Sequence, residues 1–218
     1  MLNMLYYDLW QEPNSRFNSL KEAIEKIGEN QDLVVEIIEV LQMLINRIGH
    51  IEYVAELNFT LPLRVHSRYT KDQILAALGE SNLTKKSSNR EGVLNIPHLN
   101  AELLFVTLEK SEDHYSPTTM YNDYAMSDVI FHWQSQNSAR EDRGRGLSYT
   151  QQCLTGQNIL LFVRETNKNQ YKTTNSFVFL GKVNYIDHYG SKPMSINWKL
   201  ERSIPAYLWK DTVKMAVG

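Results

Sequence analysis

Residues 103–108 read Leu103-Leu104-Phe105-Val106-Thr107-Leu108, and this run decides the fold class. It is a strand candidate, and four more follow it: Val129 to Gln136, Ile159 to Arg164, Ser176 to Ile186 and Met194 to Leu200. As a group they are rich in Val, Ile, Phe, Tyr, Trp and Thr, and clusters of Gly, Asn, Ser or Pro separate them. Strands with no long helices between them cannot build a parallel βαβ sheet. They predict an antiparallel sheet that curls, or a small barrel. The chain shows no internal repeat.

Upstream the period changes. Asn14 or Ser15 is placed to cap a helix running to Ile27, with Gly28 as its stop. From Asp32 to Leu57 the apolar residues Ile37, Leu41, Leu44, Ile48, Ile51 and Ala55 recur at alternating steps of four and three, a heptad seam. Val34, Ile38 and Ile45 widen it. The seam fits a buried helix of a bundle, or a coiled-coil arm docked on another domain or a second copy. Thr70-Lys71-Asp72-Gln73 has the form of a capping box and predicts a short helix over about 71–78. Leu83 to Asn95, rich in Lys, Ser and Asn, reads as a loop. The expectation is an α+β chain: a helical, coiled-coil-like arm over 1–62, then a curled antiparallel β-barrel with short helices over 63–218.

Charge divides the chain in the same place. Residues 1–60 hold ten acidic and four basic residues, a net of −6, and residues 61–218 carry a net of +4. Such asymmetry suggests two parts with different partners, and the basic part permits phosphate contact. Twelve Tyr and four Trp suit a β-rich core or a surface that stacks on flat ligands. The single cysteine, Cys153, excludes an internal disulfide framework and a multi-thiolate zinc site. Met1 to Trp10 lacks the basic start of a signal peptide, and no apolar run approaches a membrane span. The expected location is cytoplasmic, with no membrane partner.

Enzyme signatures are absent. There is no Gly-x-x-x-x-Gly-Lys-Ser/Thr loop, no His-Glu-x-x-His and no Gly-x-Ser-x-Gly. The histidines (His50, His66, His98, His114, His132, His188) lack metal-ligand spacing. Asp128 with Glu141 is a poor nuclease pair, because no lysine follows the glutamate at a useful distance. The chain is expected to be a recognition module, without catalytic residues, metal or cofactor of its own.

The informative segment is 115–137. Tyr115, Tyr121 and Tyr124 bracket Asp123, and a strand carrying Phe131-His132-Trp133-Gln134-Ser135-Gln136 follows. Alternation along that strand points Phe131, Trp133 and Ser135 one way and His132, Gln134 and Gln136 the other. Trp133 in the core with exposed glutamines is one reading. A pocket of flat rings, a carboxylate and probing amides is the other. Arg140, Arg143 and Arg145, with Lys85, Lys86 and Arg90, lie in polar loops and are candidate phosphate contacts. Glu141 and Asp142 would neutralise the first group if it is merely a solvated loop.

Leu63-x-x-His66-x-x-Tyr69-Thr70, Phe105-Val106-Thr107-Leu108-x-Lys110, Tyr115-Ser-Pro-Thr-Thr-x-Tyr-x-Asp-Tyr124, Phe131-His-Trp-Gln-Ser-Gln-Asn137, Leu160-Leu-Phe-Val-Arg164 and Phe179-Leu-Gly181 resemble a domain at the C-terminal end of superfamily-two helicase-like proteins. The helical arm plus this domain resembles the target-recognition part of type IV, modification-dependent restriction enzymes. The resemblance implies an SRA-like (SET and RING-associated) barrel, related to PUA barrels, that flips and reads 5-methylcytosine or 5-hydroxymethylcytosine in double-stranded DNA. It implies a parent chain with nuclease and helicase/translocase domains, which would use ATP and a divalent metal ion. The arm would pack on the translocase or form a dimer. The pocket it implies is Tyr121, Asp123 and Trp133, with Tyr124 as the alternative to Tyr121 and Asp128 as the alternative to Asp123. Gln134, Ser135, Gln136 and Asn137 would probe the base pair or touch DNA. A coupling or dimerisation module without base recognition is the competing reading, and RNA binding by a PUA-like barrel is a third.

Overall fold

In the computed structural model, residues 1–13, 17–48, 52–108 and 123–209 are described. Three helices open the chain: α1 (Leu2–Leu9), α2 (Leu20–Gly28) and α3 (Gln31–Ile45). Ser19 caps α2 by accepting from the Glu22 N–H, and Asn30 caps α3 by accepting from the Leu33 N–H. The expected caps Asn14 and Ser15 lie outside the described residues. The helix α1, which no capping signal announces, buries Tyr6 and Tyr7 and packs with Ala23 and with Ala76 of α4 (Lys71–Ala77). Thr70 and Gln73 form the expected reciprocal capping box at the start of α4.

The heptad reading overreached. The helix α3 ends at Ile45 and not at Leu57. Residues 53–61 alternate instead: Tyr53, Ala55, Leu57, Phe59 and Leu61 pack on a core, while Val54, Glu56, Asn58 and Thr60 face out. A period of two fits these residues, and the heptad step to Ala55 does not mark a helix there; Ile51 lies outside the described residues. Strand β1 (Tyr53–Val54) pairs with β2 (Arg64–Val65) as a separate ribbon.

The remaining strands form one sheet. They are β3 (Arg68–Tyr69), β4 (Val93–Ile96), β5 (Ala101–Thr107), β6 (Tyr124–Ala125), β7 (Ile130–Gln134), β8 (Asn158–Arg164), β9 (Phe177–Tyr189) and β10 (Ser195–Leu200). Helices α5 (Gly144–Thr150) and α6 (Gln152–Thr155) lie between β7 and β8. Strand β4 begins inside the stretch that reads as loop. The order is β4-β5-β8-β9-β10-β7-β6, with β3 paired to β9.

Two expectations need correction. The sheet is mixed, because β5 and β8 run parallel from Ala101↔Asn158 to Thr107↔Arg164. The long connection through β6, β7, α5 and α6 supplies the crossover that a parallel pair requires. The sheet is also not a closed barrel: its path ends at β4 and β6, which do not pair among the described residues. It is nevertheless rolled, since Val93 of β4 shares a core with Phe131 and Trp133 of β7.

Both sheet faces are covered, which explains the unbroken apolar runs in the sequence. Leu104, Val106, Leu161, Val163 and Leu180 enter one core with Tyr149 and Trp198. Their neighbours Leu103, Phe105, Leu160, Phe162 and Phe179 enter the other, beneath residues 53–65 and α4. Each fully buried side chain of this size contributes roughly 1.5–3 kcal/mol. By contrast α3 buries none of its residues, and Leu33, Val35, Ile38, Val40, Leu41, Met43, Leu44 and Ile45 are all exposed. No helix among the described residues is long and apolar enough to cross a membrane.

Candidate functional site

The open seam of the rolled sheet is a cleft of about 880 Å³. Glu91, Gly92 and Val93 line it from the β4 side, and Trp133, Gln134 and Gln136 from the β7 side. A side-chain contact ties the two edges here: Gln136 Nε2 donates to Glu91 Oε2 at 3.0 Å. The size lies within the range of small-ligand sites.

Aromatic rings and cations furnish one part of the cleft. Phe105 and Phe177 meet edge to face, with centroids 5.2 Å apart. The Lys71 ammonium lies 4.6 Å from the Phe105 centroid, and the Arg164 guanidinium 4.3 Å from that of Phe177. Lys71 also donates to the Glu91 carbonyl at 2.9 Å. Arg164 Nε donates to Thr107 Oγ1 at 2.9 Å, which fixes its plane at the ends of the parallel strands. Burial pushes the Lys71 amine down to about 8, and the Arg164 charge adds to that shift.

Asp123 also lines the cleft, and it is buried. Its Oδ1 accepts the Gln134 backbone N–H at 2.9 Å, so the carboxylate straps the chain before β6 to the end of β7. Trp133 borders the cleft but belongs to the core: it is 4% exposed and stands edge to face on Tyr149, with centroids 5.5 Å apart. Thus Asp123, Trp133, Gln134 and Gln136 line one cleft. Tyr121 lies outside the described residues. Tyr124 does not join the set. It packs on His132, on the opposite face of β7, with centroids 4.8 Å apart. Asp128 is exposed and does not line the cleft; its carbonyl accepts from the Ile204 N–H. Ser135 is fully buried, and its hydroxyl accepts from the Met194 N–H, so it holds β7 to the start of β10.

The basic candidates divide by what they already bind. Lys86 reaches both Glu12 and Asp72, at 3.1 and 3.2 Å, and pins the α1 region to α4. Those partners hold its ammonium above the usual lysine range, against the opposing effect of burial. Arg140 makes two hydrogen bonds to the Asp142 carboxylate. Arg145 pairs with the buried Glu102 at 3.2 Å and donates to Gln136 at 2.8 Å. Tyr149 donates to the same Glu102 oxygen. Burial raises the Glu102 carboxyl above its ordinary value, and Tyr149, Arg145 and Gln157 oppose that rise. A chain of contacts therefore runs from Glu102 through Arg145 and Gln136 to Glu91 on the cleft rim. Arg143 makes no ion pair among the described residues. With Arg140, Arg145, Asn137 and Lys192 it lines a second depression of about 570 Å³ beside Gln136. Arg90 is exposed at the main cleft, and Lys85 is exposed away from it.

Gly146 is needed for packing rather than ligand approach: a Cβ there would overlap the Arg140 carbonyl oxygen and press on Met194 Sδ. Sequence reasoning missed Lys71, Phe105, Arg164 and Phe177, each of which serves as a helix or strand former as well. The available signal was polarity, since buried β5 and β8 both end on a polar residue, Thr107 and Arg164. No group of three or more His, Cys, Asp or Glu side chains among the described residues is placed to hold a metal ion. The cleft thus brings aromatic edges, cationic groups and carboxylates together at one place.

A family model described as a domain of unknown function, DUF3427, matches residues 63–212, more than half of the chain. No curated protein is similar in sequence. Among solved structures, the chain is similar to Arabidopsis thaliana SUVH6 in complex with SAM, at 12% identity and a TM-score of 0.43. That similarity covers 100% of this chain, which spans 40% of the other.

Proposed function

This chain belongs to the DUF3427 family of domains of unknown function, and we propose that it is a DNA-binding module that recognises modified cytosine. The cleft at the sheet seam carries the reading, because it gathers Asp123, Trp133 and Gln134 with two aromatic rings and two cations. A 5-methylcytosine or 5-hydroxymethylcytosine extruded from the duplex would enter it. Asp123 would accept from the exocyclic amino group and repel the carbonyl that thymine presents at that position. Extrusion costs a few kcal/mol, and stacking returns about 1–3 kcal/mol per base. Trp133, Phe105 and Phe177 all border the cleft and are all core residues, so a base would meet them only at the atoms that face it. Arg143 and Lys192 would hold backbone phosphate beside the cleft.

The parent would be a modification-dependent restriction enzyme whose other domains use ATP and a divalent metal ion. The apolar α3 favours docking on such a domain or on a second copy, because a helix apolar on most of its circumference is normally covered. Base extrusion is tested with 2-aminopurine next to the modified cytosine. Binding should raise its fluorescence for the modified duplex more than for the unmodified one. Identical traces would remove extrusion from the proposal.

A further inference from the structure

We propose that the turn between β8 and β9 is a second nucleic-acid contact, in which Tyr171 stacks on an unpaired base and Lys168 and Lys172 meet the phosphates beside it. The inference goes beyond the reading of modified cytosine and rests on it only for nucleic acid as the ligand. Residues 165–176 join the two strands, and Tyr171 near their middle is 76% exposed. Lys168 and Lys172 are exposed with it. The same segment borders the cleft, since Asn167 and Thr174 line it. Tyr171 stands three residues from Thr174, so at most about 11 Å of chain separates it from the rim.

The turn presents this ring on a braced backbone. Asn169 Oδ1 accepts the N–H groups of Tyr171 and Thr173, at 2.9 and 3.1 Å. The Asn169 N–H donates to the Thr173 carbonyl at 2.9 Å, and Lys168 pairs with Thr174 across the turn. At the base, Asn175 Nδ2 donates to the Thr166 carbonyl and hydroxyl. A platform ordered before binding loses little freedom on binding. Lys172 has a φ of 62°, in the left-handed region that glycine or asparagine usually fills. A lysine there costs backbone energy and places a charge beside the ring.

The make-up of the turn selects the partner. From Glu165 to Asn175, Tyr171 is the only large apolar or aromatic residue. The tip therefore lacks the apolar neighbours that surround an anchor in a protein–protein interface. Its only acidic residue is Glu165, which faces Arg68 at 3.9 Å. What remains is one flat ring and two positive charges. A strand of nucleic acid answers both, because an aromatic ring stacks on any base while cations follow the backbone. The base has to be unpaired, since neighbours in a duplex already cover the faces of a paired one.

The test titrates the 218-residue chain against a labelled single strand of oligo(dT), and against duplexes with and without 5-methylcytosine, by fluorescence anisotropy at fixed salt. Tyr171→Ala should weaken single-strand binding roughly tenfold, the worth of one stacked base. Tyr171→Trp should bind at least as well as the wild type, and the unmodified, fully paired duplex should respond little to either change. Lys168→Gln with Lys172→Gln should flatten the single-strand salt slope by about 0.7 for each lost contact. Denaturant midpoints should stay in place, because all three side chains are exposed. Single-strand affinity untouched by Tyr171→Ala, or no single-strand binding at all, overturns the contact. So does an equal loss on single strand and duplex, which would make the ring a general surface contact. A preference for methylcytosine with no effect of Tyr171→Ala removes the contact and leaves base recognition standing. The Tyr171 effect with equal binding of the two duplexes keeps the contact and removes base recognition.

Discussion

Asp123 Oδ1 accepts the backbone N–H of Gln134 at 2.9 Å, which gives the carboxylate a structural task inside the cleft where it is proposed to read a base. The two tasks separate by substitution. Asp123→Asn keeps an acceptor for Gln134, so unfolding free energy should fall by less than about 1 kcal/mol. Its amide can present a donor to the ligand, so preference for cytosine over thymine in the bound position should weaken. Asp123→Ala strands a buried donor and should cost about 1–3 kcal/mol by chemical denaturation. Equal losses in the two variants would contradict this division.

The strands were legible because burial on both faces writes continuous apolar runs, as in Leu103–Leu108 and Ile159–Val163. Which runs pair, and in which direction, is not written there. The parallel β5–β8 pair depends on a crossover through two short helices that carry no strong caps: neither α5 nor α6 has a side-chain cap bond. The alternation of Tyr53, Ala55, Leu57, Phe59 and Leu61 was visible, but the preceding heptad masked it. At the site, Asp123, Trp133 and Gln134 stand close together in sequence and could be grouped from it. Lys71, Phe105, Arg164 and Phe177 converge only through the rolled sheet, and no local pattern announces that.

Trp133 should act on stability before it acts on binding. It packs edge to face on Tyr149 and near Trp198 in the main core. Trp133→Ala is expected to cost about 3–5 kcal/mol in a denaturant titration, whereas Trp133→Phe should cost less. Loss of DNA binding with stability unchanged would instead make Trp133 a stacking platform.

The arginines near residue 140 should not behave alike. Arg143→Ala with Lys192→Ala should lower affinity for methylated and unmethylated duplexes equally. The salt dependence should flatten by about one unit for each lost phosphate contact. Arg145→Ala should instead lower stability by about 1–3 kcal/mol, because it leaves the buried Glu102 with weaker compensation. An unchanged salt slope for the first pair would show that this surface does not meet DNA.

Glu102 imposes a pH dependence of known sign. Its folded value lies above the ordinary 4.5, so the folded state binds the proton more tightly. The stability it contributes is full below about 4.5 and is lost as pH rises through the folded value. The stability of the wild-type chain relative to Glu102→Gln should therefore decline as pH rises from about 4.5. A difference that grows over that range would contradict the assignment.

The helix α3 should be dispensable for the body of the fold. Leu41→Asp with Ile45→Asp touches no core residue, since both side chains are exposed. Unfolding free energy should stay within about 0.5 kcal/mol and DNA affinity should be unchanged. Any self-association of the chain, followed by sedimentation, should be lost. Unfolding of the double variant would place α3 in the core.

The most direct test is the affinity ratio for one duplex with and without 5-methylcytosine at a single site, titrated at one moderate salt concentration. Enclosure of a methyl group is worth about 1–3 kcal/mol, so the methylated duplex should bind roughly tenfold tighter or better. Equal affinity of the wild-type chain for the two duplexes would contradict recognition of modified cytosine.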